Sequence, residues 1–494
     1  MVRQTRRQFV TGIAAAGLTL CAAGTVSASG RQRYVVVAPG QGTTRTLEQE
    51  GVDVTAELAD GSVLLVDGPT DAAADLERVG GVRTATPDVR LEVDLPPVSA
   101  GVGPGETVGG AQTSEPTLYD LQWDKQVTDT LAAHELATGA GTTLAILDTG
   151  IDPDHPDLAR NVDEDASRLF AAGDPIDADD NPWDTDGHGT HVAGIAAATG
   201  EGGAVGTGIV GMAPEATLVS AKVFWFEVPA DGDEDEPVLM TTTGDILRAV
   251  DYAASIGADA ANLSLGTAPL PPQTNAGGIR TAYQRVIRHA VRHGTVVVAS
   301  AGNDAANLQQ GGYFSLPNST AGAISVSATG PNDELVFYSN YGTNEVDVAA
   351  PGGGYETEAK TLCTEAGIVA GSCEGEGDGD EEEEENGDDG DDGDDGADAN
   401  CTECEPGEWP YPTNLVYSSV PPEVYGEPYA YFAGTSMAAP QVTGLVGLVR
   451  ELRPDANPNR VEGAIEHGAE GHPGRGDPEL GAGRIDARET VERL

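Results

Sequence analysis

"TTLAILDTG" (residues 142–150) is a nearly continuous apolar run that stops on an aspartate and a glycine. A strand wetted on one face alternates polar with apolar residues, whereas an unbroken run suits a strand covered on both faces, as in parallel sheets flanked by helices. The same pattern returns in "ATLVSAKVF" (216–224), "ADAANLSLG" (258–266) and "GTVVVASAGN" (294–303). Helical periodicity at 245–256 and 282–293 supplies crossovers between them. The pattern predicts an α/β fold with a parallel central sheet and helices on both faces. Ligands of such sheets gather beyond the carboxyl ends of the strands, where Asp148, Ser264 and Asn303 stand.

Two further stretches carry chemistry. "DTDGHGTHVAGIAAA" (184–198) sets His188 between Gly187 and Gly189, ahead of a small-residue helix with Val192, Ile195 and Ala196 on one face. Read alone, that histidine is a helix cap or, with His191 three residues on, half of a metal pair. "GTSMAAP" (434–440) puts Ser436 at the start of a helix whose buried face carries Val442, Leu445, Val446, Val449 and Leu452. Pro440 is expected in its first turn. A serine there is ordinarily an N-cap, yet a helix start also aims unpaired backbone N–H groups at whatever sits before it. To act as a nucleophile the hydroxyl needs a neighbouring base.

Taken together, "DTGIDPDHPDL" (148–158), "GHGTHVAG", "NLSLG", "ASAGN" and "GTSMAAP", in that order, resemble the subtilisin-like serine proteases of the secreted haloarchaeal halolysin type. The resemblance spans most of residues 140–494, and Asp, His, Ser is the order of that family. It implies a catalytic triad of Asp148, His188 and Ser436, with His188 taking the Ser436 proton and Asp148 orienting the imidazole. It also implies an oxyanion donor in the Asn303 side chain, beside the Ser436 backbone N–H. Ser264, Leu265 and Gly266 would pair with an extended polypeptide substrate, and Ser300, Ala301 and Gly302 would line the pocket for the side chain before the cut. No cofactor is needed for that chemistry. A structural calcium is admitted, with Asp157 at a position that often ligates the ion, although the loop "ATGEGGAVGTGIVG" (198–211) lacks an expected polar ligand.

Around this core the chain divides further. Residues 31–94 combine the β-rich runs "YVVVAP" (34–39) and "SVLLVDG" (62–68) with a helix expected at 70–79, a small α+β unit preceding the large domain of 118–494. The resemblance makes it a prodomain that aids folding and then inhibits its own enzyme. The Gly/Pro/Ser/Thr-rich stretch 95–117 reads as a linker holding the maturation cut. Departing from the family, about eighty residues separate "AAPGG" (349–353) from "AGTSMAAP". This insertion, at about 355–428, brackets an acidic Gly/Asp/Glu run (374–400) with Cys363, Cys373, Cys401 and Cys404. The run cannot bury apolar area and should be solvated. The four thiols admit two disulfides in three connectivities, or a zinc site using the CxxC pair 401 and 404; a thioredoxin-like role lacks the surrounding strand-to-helix pattern.

Charge fixes the medium. Asp and Glu number 81 against 26 Lys and Arg, a net charge of −55, and the only lysines are Lys125, Lys222 and Lys360. Nucleic acid and anionic membrane are excluded as partners. A diffuse carboxylate surface repels itself in dilute buffer and needs screening, whose reach falls to roughly 3 Å at molar salt, so the chain is expected to be salt-adapted. "TRRQFV" (5–10), the small-residue apolar stretch 11–26 and "VSA" ending at Ala28 resemble a twin-arginine export signal over 1–30. Cys21 is a weak lipidation site, because Leu20 precedes it. The expected product is a secreted, extracellular monomer, free of the membrane after export.

Two rivals deserve comparison. "LAILDTG" also resembles an aspartic-protease loop, but that chemistry requires two carboxylates sharing a proton, and no second such motif is present. A catalytically silent subtilisin-like scaffold, its acidic loop binding cations, would not need all four chemical residues.

Overall fold

The computed structural model describes residues 18–19, 30–88, 90–93, 118–171, 181–202, 207–227, 237–272, 277–358, 360–361, 414–471 and 476–494. The export signal apart from 18–19 and 30, the linker, all five cysteines and the acidic run lie outside the described residues.

A two-residue strand, β1 (Leu18–Thr19), precedes a small antiparallel unit: β2 (Arg31–Val37), α1 (Thr43–Gln49), β3 (Asp53–Leu58), β4 (Val63–Pro69), α2 (Ala73–Leu76) and β5 (Thr84–Pro87). Its sheet runs β3-β4-β2-β5. "YVVV" lacks polar alternation because both faces are covered. Tyr34 and Val36 pack with Leu47, Leu64 and Leu76 beneath the unit's own helices, while Val35 and Val37 join a core shared with the large domain. The helix expected at 70–79 is shorter, since Asp71 adopts a left-handed backbone (φ 67°) and delays its start. The helix α1 leaves no apolar periodicity in the sequence, because Leu47 is its only buried apolar side chain.

Beyond β6 (Arg90–Val93) come β7 (Thr143–Ile146), β8 (Arg168–Leu169), α3 (His188–Ala197), β9 (Thr217–Lys222), β10 (Trp225–Glu227), β11 (Val238–Thr242) and α4 (Thr243–Ser255). Then follow β12 (Ala260–Leu263), α5 (Gly277–His293), β13 (Val296–Ser300), β14 (Ala323–Thr329), β15 (Val348–Pro351), β16 (Val416–Ser419), β17 (Tyr429–Phe432) and α6 (Thr435–Leu452). Seven strands form one sheet in the order β15-β14-β13-β12-β7-β9-β8, parallel throughout. The four apolar runs of the sequence are β7, β9, β12 and β13. Their side chains alternate between two cores: Leu144, Ile146, Val296 and Val298 face α3 and α6, and Ala145, Leu147, Val297 and Ala299 face α4 and α5. A pleat with apolar neighbours on both sides explains the missing polar alternation.

The small unit docks on the second of these layers. β6 pairs antiparallel with β11, setting Leu91 opposite Thr241. Arg33 bridges the two parts, 2.5 Å from Asp88 and 3.0 Å from Asp245. Asp88 accepts from the Gly244 N–H at 2.8 Å, which places a carboxylate against the N-terminus of α4. Among the described residues no helix is long and apolar enough to cross a membrane.

Candidate active site

Strand register brings the first two groups together. Ile146 of β7 pairs with Asn262 of β12, so Asp148 and Ser264, each two residues further on, emerge side by side at the carboxyl edge. His188 opens α3 and reaches the same edge because glycine follows it. A Cβ on Gly189 would stand 2.1 Å from the Gly150 carbonyl oxygen and 3.1 Å from Asp148 Cβ, so only glycine lets the helix start approach the strand end this closely. His188 Nδ1 then lies 2.7 Å from Asp148 Oδ1, with both side chains buried.

Asp148 Oδ1 also accepts from the Thr149 N–H at 2.8 Å. Burial alone would lower the His188 pKa, but the Asp148 charge and hydrogen bond, helped by Asp186 and Asp184, raise it above the ordinary 6.5. Asp186 is pushed up to about 6 by burial and by Asp184.

The sequence reading did not single out Asp184, although it begins the histidine motif. Its Oδ1 accepts from Thr149 Oγ1, Asp186 N and Gly187 N at 2.9–3.0 Å, and its Oδ2 from Thr190 N and Oγ1. One carboxylate thereby ties the end of β7 to the first turn of α3. The signal was available: an acidic residue just ahead of a helix start binds orphan N–H groups. His191 belongs elsewhere. Its ring stacks on Phe432 at 4.0 Å, Nε2 lies 3.1 Å from the Ala430 carbonyl, and burial lowers its pKa to about 3. The paired-histidine metal reading therefore has no geometric support.

Ser436 is the second residue of α6. Pro440 falls in the second turn rather than the first. Lacking an N–H, it cannot bond the Ser436 carbonyl four residues back. That carbonyl accepts instead from Ser264 Oγ at 2.7 Å. Ser436 Oγ donates to the Ser264 carbonyl at 3.3 Å, and His188 Nε2 has no hydrogen-bond partner among the described residues. The serine-to-histidine contact is thus open in this resting arrangement, as substrate-free catalytic hydrogen bonds often are.

Asn303 follows β13. Its Oδ1 accepts from Thr435 N at 2.9 Å and from Thr435 Oγ1 at 2.8 Å, which fixes the sense of the amide. Nδ2 and the Ser436 N–H then border one space: each lies 3.6 Å from the point where a Cβ on Gly434 (φ +155°) would stand. Ser300 Oγ touches the Leu265 carbonyl at 3.5 Å, joining the 264–266 and 300–302 segments. Asn340, another residue the sequence did not flag, donates to the Ala301 carbonyl at 3.0 Å and accepts from Asp304 N.

Asp157 lies away from these groups. Its buried carboxylate accepts from Gly202 N (2.7 Å), Ile209 N (3.0 Å) and the Tyr429 hydroxyl (2.7 Å). Calcium wants six to eight oxygens at about 2.3–2.6 Å. Here N–H and O–H donors, with Gly208 packed onto Oδ1, stand where further oxygen ligands would be needed. Among the described residues, those around Asp157 do not fit a calcium ion, and residues 203–206 of the adjoining loop lie outside the described residues.

The subtilase family model matches residues 139–483. The chain belongs to the subtilase family. Thermitase of Thermoactinomyces vulgaris is 29% identical over 379 residues, covering 77% of this subtilase and 99% of thermitase. A thermophilic serine proteinase of Bacillus sp. strain AK1 is 35% identical over 251 residues, 50% of this chain and 54% of that protein. In fold the subtilase is similar to the epidermin leader peptide processing serine protease of Staphylococcus aureus, with TM-score 0.65 over 94% of this chain and 98% of that one, at 19% identity. This subtilase is a serine endopeptidase that needs no cofactor for its chemistry and acts on polypeptides.

Proposed function

We propose that Ser436, His188 and Asp148 carry out peptide-bond hydrolysis through an acyl-enzyme. Neutral His188 takes the Ser436 proton through Nε2 as the hydroxyl oxygen attacks the scissile carbonyl. The carbonyl oxygen becomes an oxyanion held by Asn303 Nδ2 and the Ser436 N–H. His188, now charged and steadied by Asp148, returns the proton to the leaving amine, and water repeats the sequence to release the acyl group. Ser264, Leu265 and Gly266 pair with substrate backbone, while Ser300, Ala301 and Gly302 form the pocket. The observation that carries this reading is the buried 2.7 Å contact between His188 and Asp148 at the strand edge shared with Ser264. Titration with a serine-directed covalent inhibitor tests it: activity should vanish at one equivalent in wild type, and Ser436→Ala should be inert from the outset. An active Ser436→Ala protein would overturn it.

The same reading extends to the life cycle. The chain is made as a precursor, exported by its twin-arginine-type signal, and cut by its own active site within 95–117. The unit of 31–94 assists folding and inhibits until released, leaving a secreted monomer. Its support is the shared core and the Arg33 bridge to Asp88 and Asp245. Mass spectrometry of secreted protein should find the linker cut in wild type and intact in Ser436→Ala. Salt adaptation follows from the carboxylate excess, and melting temperature should climb from dilute buffer to near-saturating salt.

A further inference from the structure

A directed chain of buried hydrogen bonds ends on the backbone of Ser436. Thr443 Oγ1 donates to Asn262 Oδ1 at 2.8 Å, Asn262 Nδ2 donates to Ser264 Oγ at 2.9 Å, and Ser264 Oγ donates to the Ser436 carbonyl at 2.7 Å. Asn262, Ser264 and Thr443 are at most 1% exposed. The sense of each bond is forced. The Ser264 hydroxyl has one proton, which goes to a carbonyl that can only accept, so Asn262 must present its amide NH2 to that oxygen. Asn262 is then left with its carbonyl end toward Thr443, which must donate.

We propose that Asn262 and Thr443 are positioning residues for the nucleophile, acting through Ser264. The acceptor exists because Pro440 supplies no N–H to the Ser436 carbonyl. In an uninterrupted helix that carbonyl would be consumed by the residue four positions on. Here it is released to anchor the peptide plane after Ser436 to β12. The anchor fixes the backbone that carries the attacking oxygen and the oxyanion N–H against the strand that receives substrate. The chain begins and ends on α6, seven residues apart, so α6 and β12 are locked in one register where the chemistry occurs. The reaction is sensitive to such placement, because an error of about 1 Å can cost 10²-fold.

The inference rests on Ser436 being the nucleophile, and the experiment separates the two. Thr443→Val keeps the shape and removes the donor, and Thr443→Ser restores it. With a peptide substrate, Thr443→Val should lower kcat by about ten-fold or more with KM nearly unchanged. Thr443→Ser should return kcat to within a factor of about two. The acid limb of the pH profile should stay in place, since His188 and Asp148 are untouched. Asn262→Leu should lower kcat at least as far; should that protein fail to fold, the valine and serine pair still decides. A Thr443→Val enzyme with wild-type kcat and only a lowered Tm would overturn the proposal and leave a purely structural role. An active Ser436→Ala enzyme would instead remove the reading beneath it.

Discussion

His188 Nδ1 and Asp148 Oδ1 are 2.7 Å apart in a pocket that excludes water from both side chains. The base must be neutral to accept a proton, and its pKa is raised above 6.5. Activity is therefore expected to fall as pH drops through a value above the ordinary 6.5. In Asp148→Asn the limb should move down in pH, with kcat reduced by about 10⁴, the size of effect seen for the equivalent change in another serine protease. A pH profile of kcat/KM for both proteins checks this. The same shift favours the folded state below the unfolded pKa of about 6.5, and that contribution is lost as pH rises through the raised value.

Asn303 and Gly434 shape one space between them. Asn303→Leu removes a donor and should lower kcat by about 10²–10³, a magnitude established within this family, with little change in KM. Gly434→Ala keeps both donors but puts a methyl group between them, on a backbone (φ +155°) that side chains rarely adopt. It too should depress kcat more than it raises KM. Steady-state kinetics of the two variants test whether the space holds the oxyanion.

Asp157 is satisfied by protein donors, so its contribution to stability should not depend on calcium. Asp157→Asn turns one accepting oxygen into a donor facing another donor, at a cost of about 1–3 kcal/mol. Thermal unfolding in excess calcium and in chelator should show the same fall in Tm relative to wild type in each medium. A fall that disappears in chelator would mean that the carboxylate holds an ion. Tyr429→Phe, which removes one donor and leaves the carboxylate, should show the same independence at smaller size.

Arg33 pairs with both Asp88 and Asp245 across the junction between the small unit and the large domain. Its removal leaves the buried Asp88 carboxylate without its cation, while Asp245 keeps Arg248 at 3.2 Å, and losing one partner of such a pair costs about 3–5 kcal/mol. The uncleaved Arg33→Ala, Ser436→Ala precursor should unfold at lower temperature than Ser436→Ala alone. An enzyme cut within 95–117 as proposed would lack residue 33 and should be unaffected. Calorimetry of the two precursors measures the difference.

The parallel sheet was legible because a strand buried on both faces is apolar along its length, and four such runs, three of them ending on a polar residue or glycine, announced the strands and their functional edge. The residues resembling a triad could be named only through the likeness of five ordered motifs to the subtilisin-like proteases, because local pattern alone leaves His188 a helix cap or metal ligand and Ser436 an N-cap. Partners that meet only through folding left no such mark. Asp184 at least stands just ahead of a helix start, whereas Asn340 and Thr443 look like ordinary polar residues until the chain places a donor or acceptor opposite them. Asp157 matches a position that often ligates calcium, and only folding brings Tyr429, 272 positions away, to donate its hydroxyl to that carboxylate. Pro440 shows the boundary most clearly. Its missing N–H is a covalent fact written in the sequence, but the oxygen it frees acquires a purpose only when Ser264, from another strand, comes within 2.7 Å. Covalent structure sets what each group can give or take; the packing of distant segments decides which group it meets.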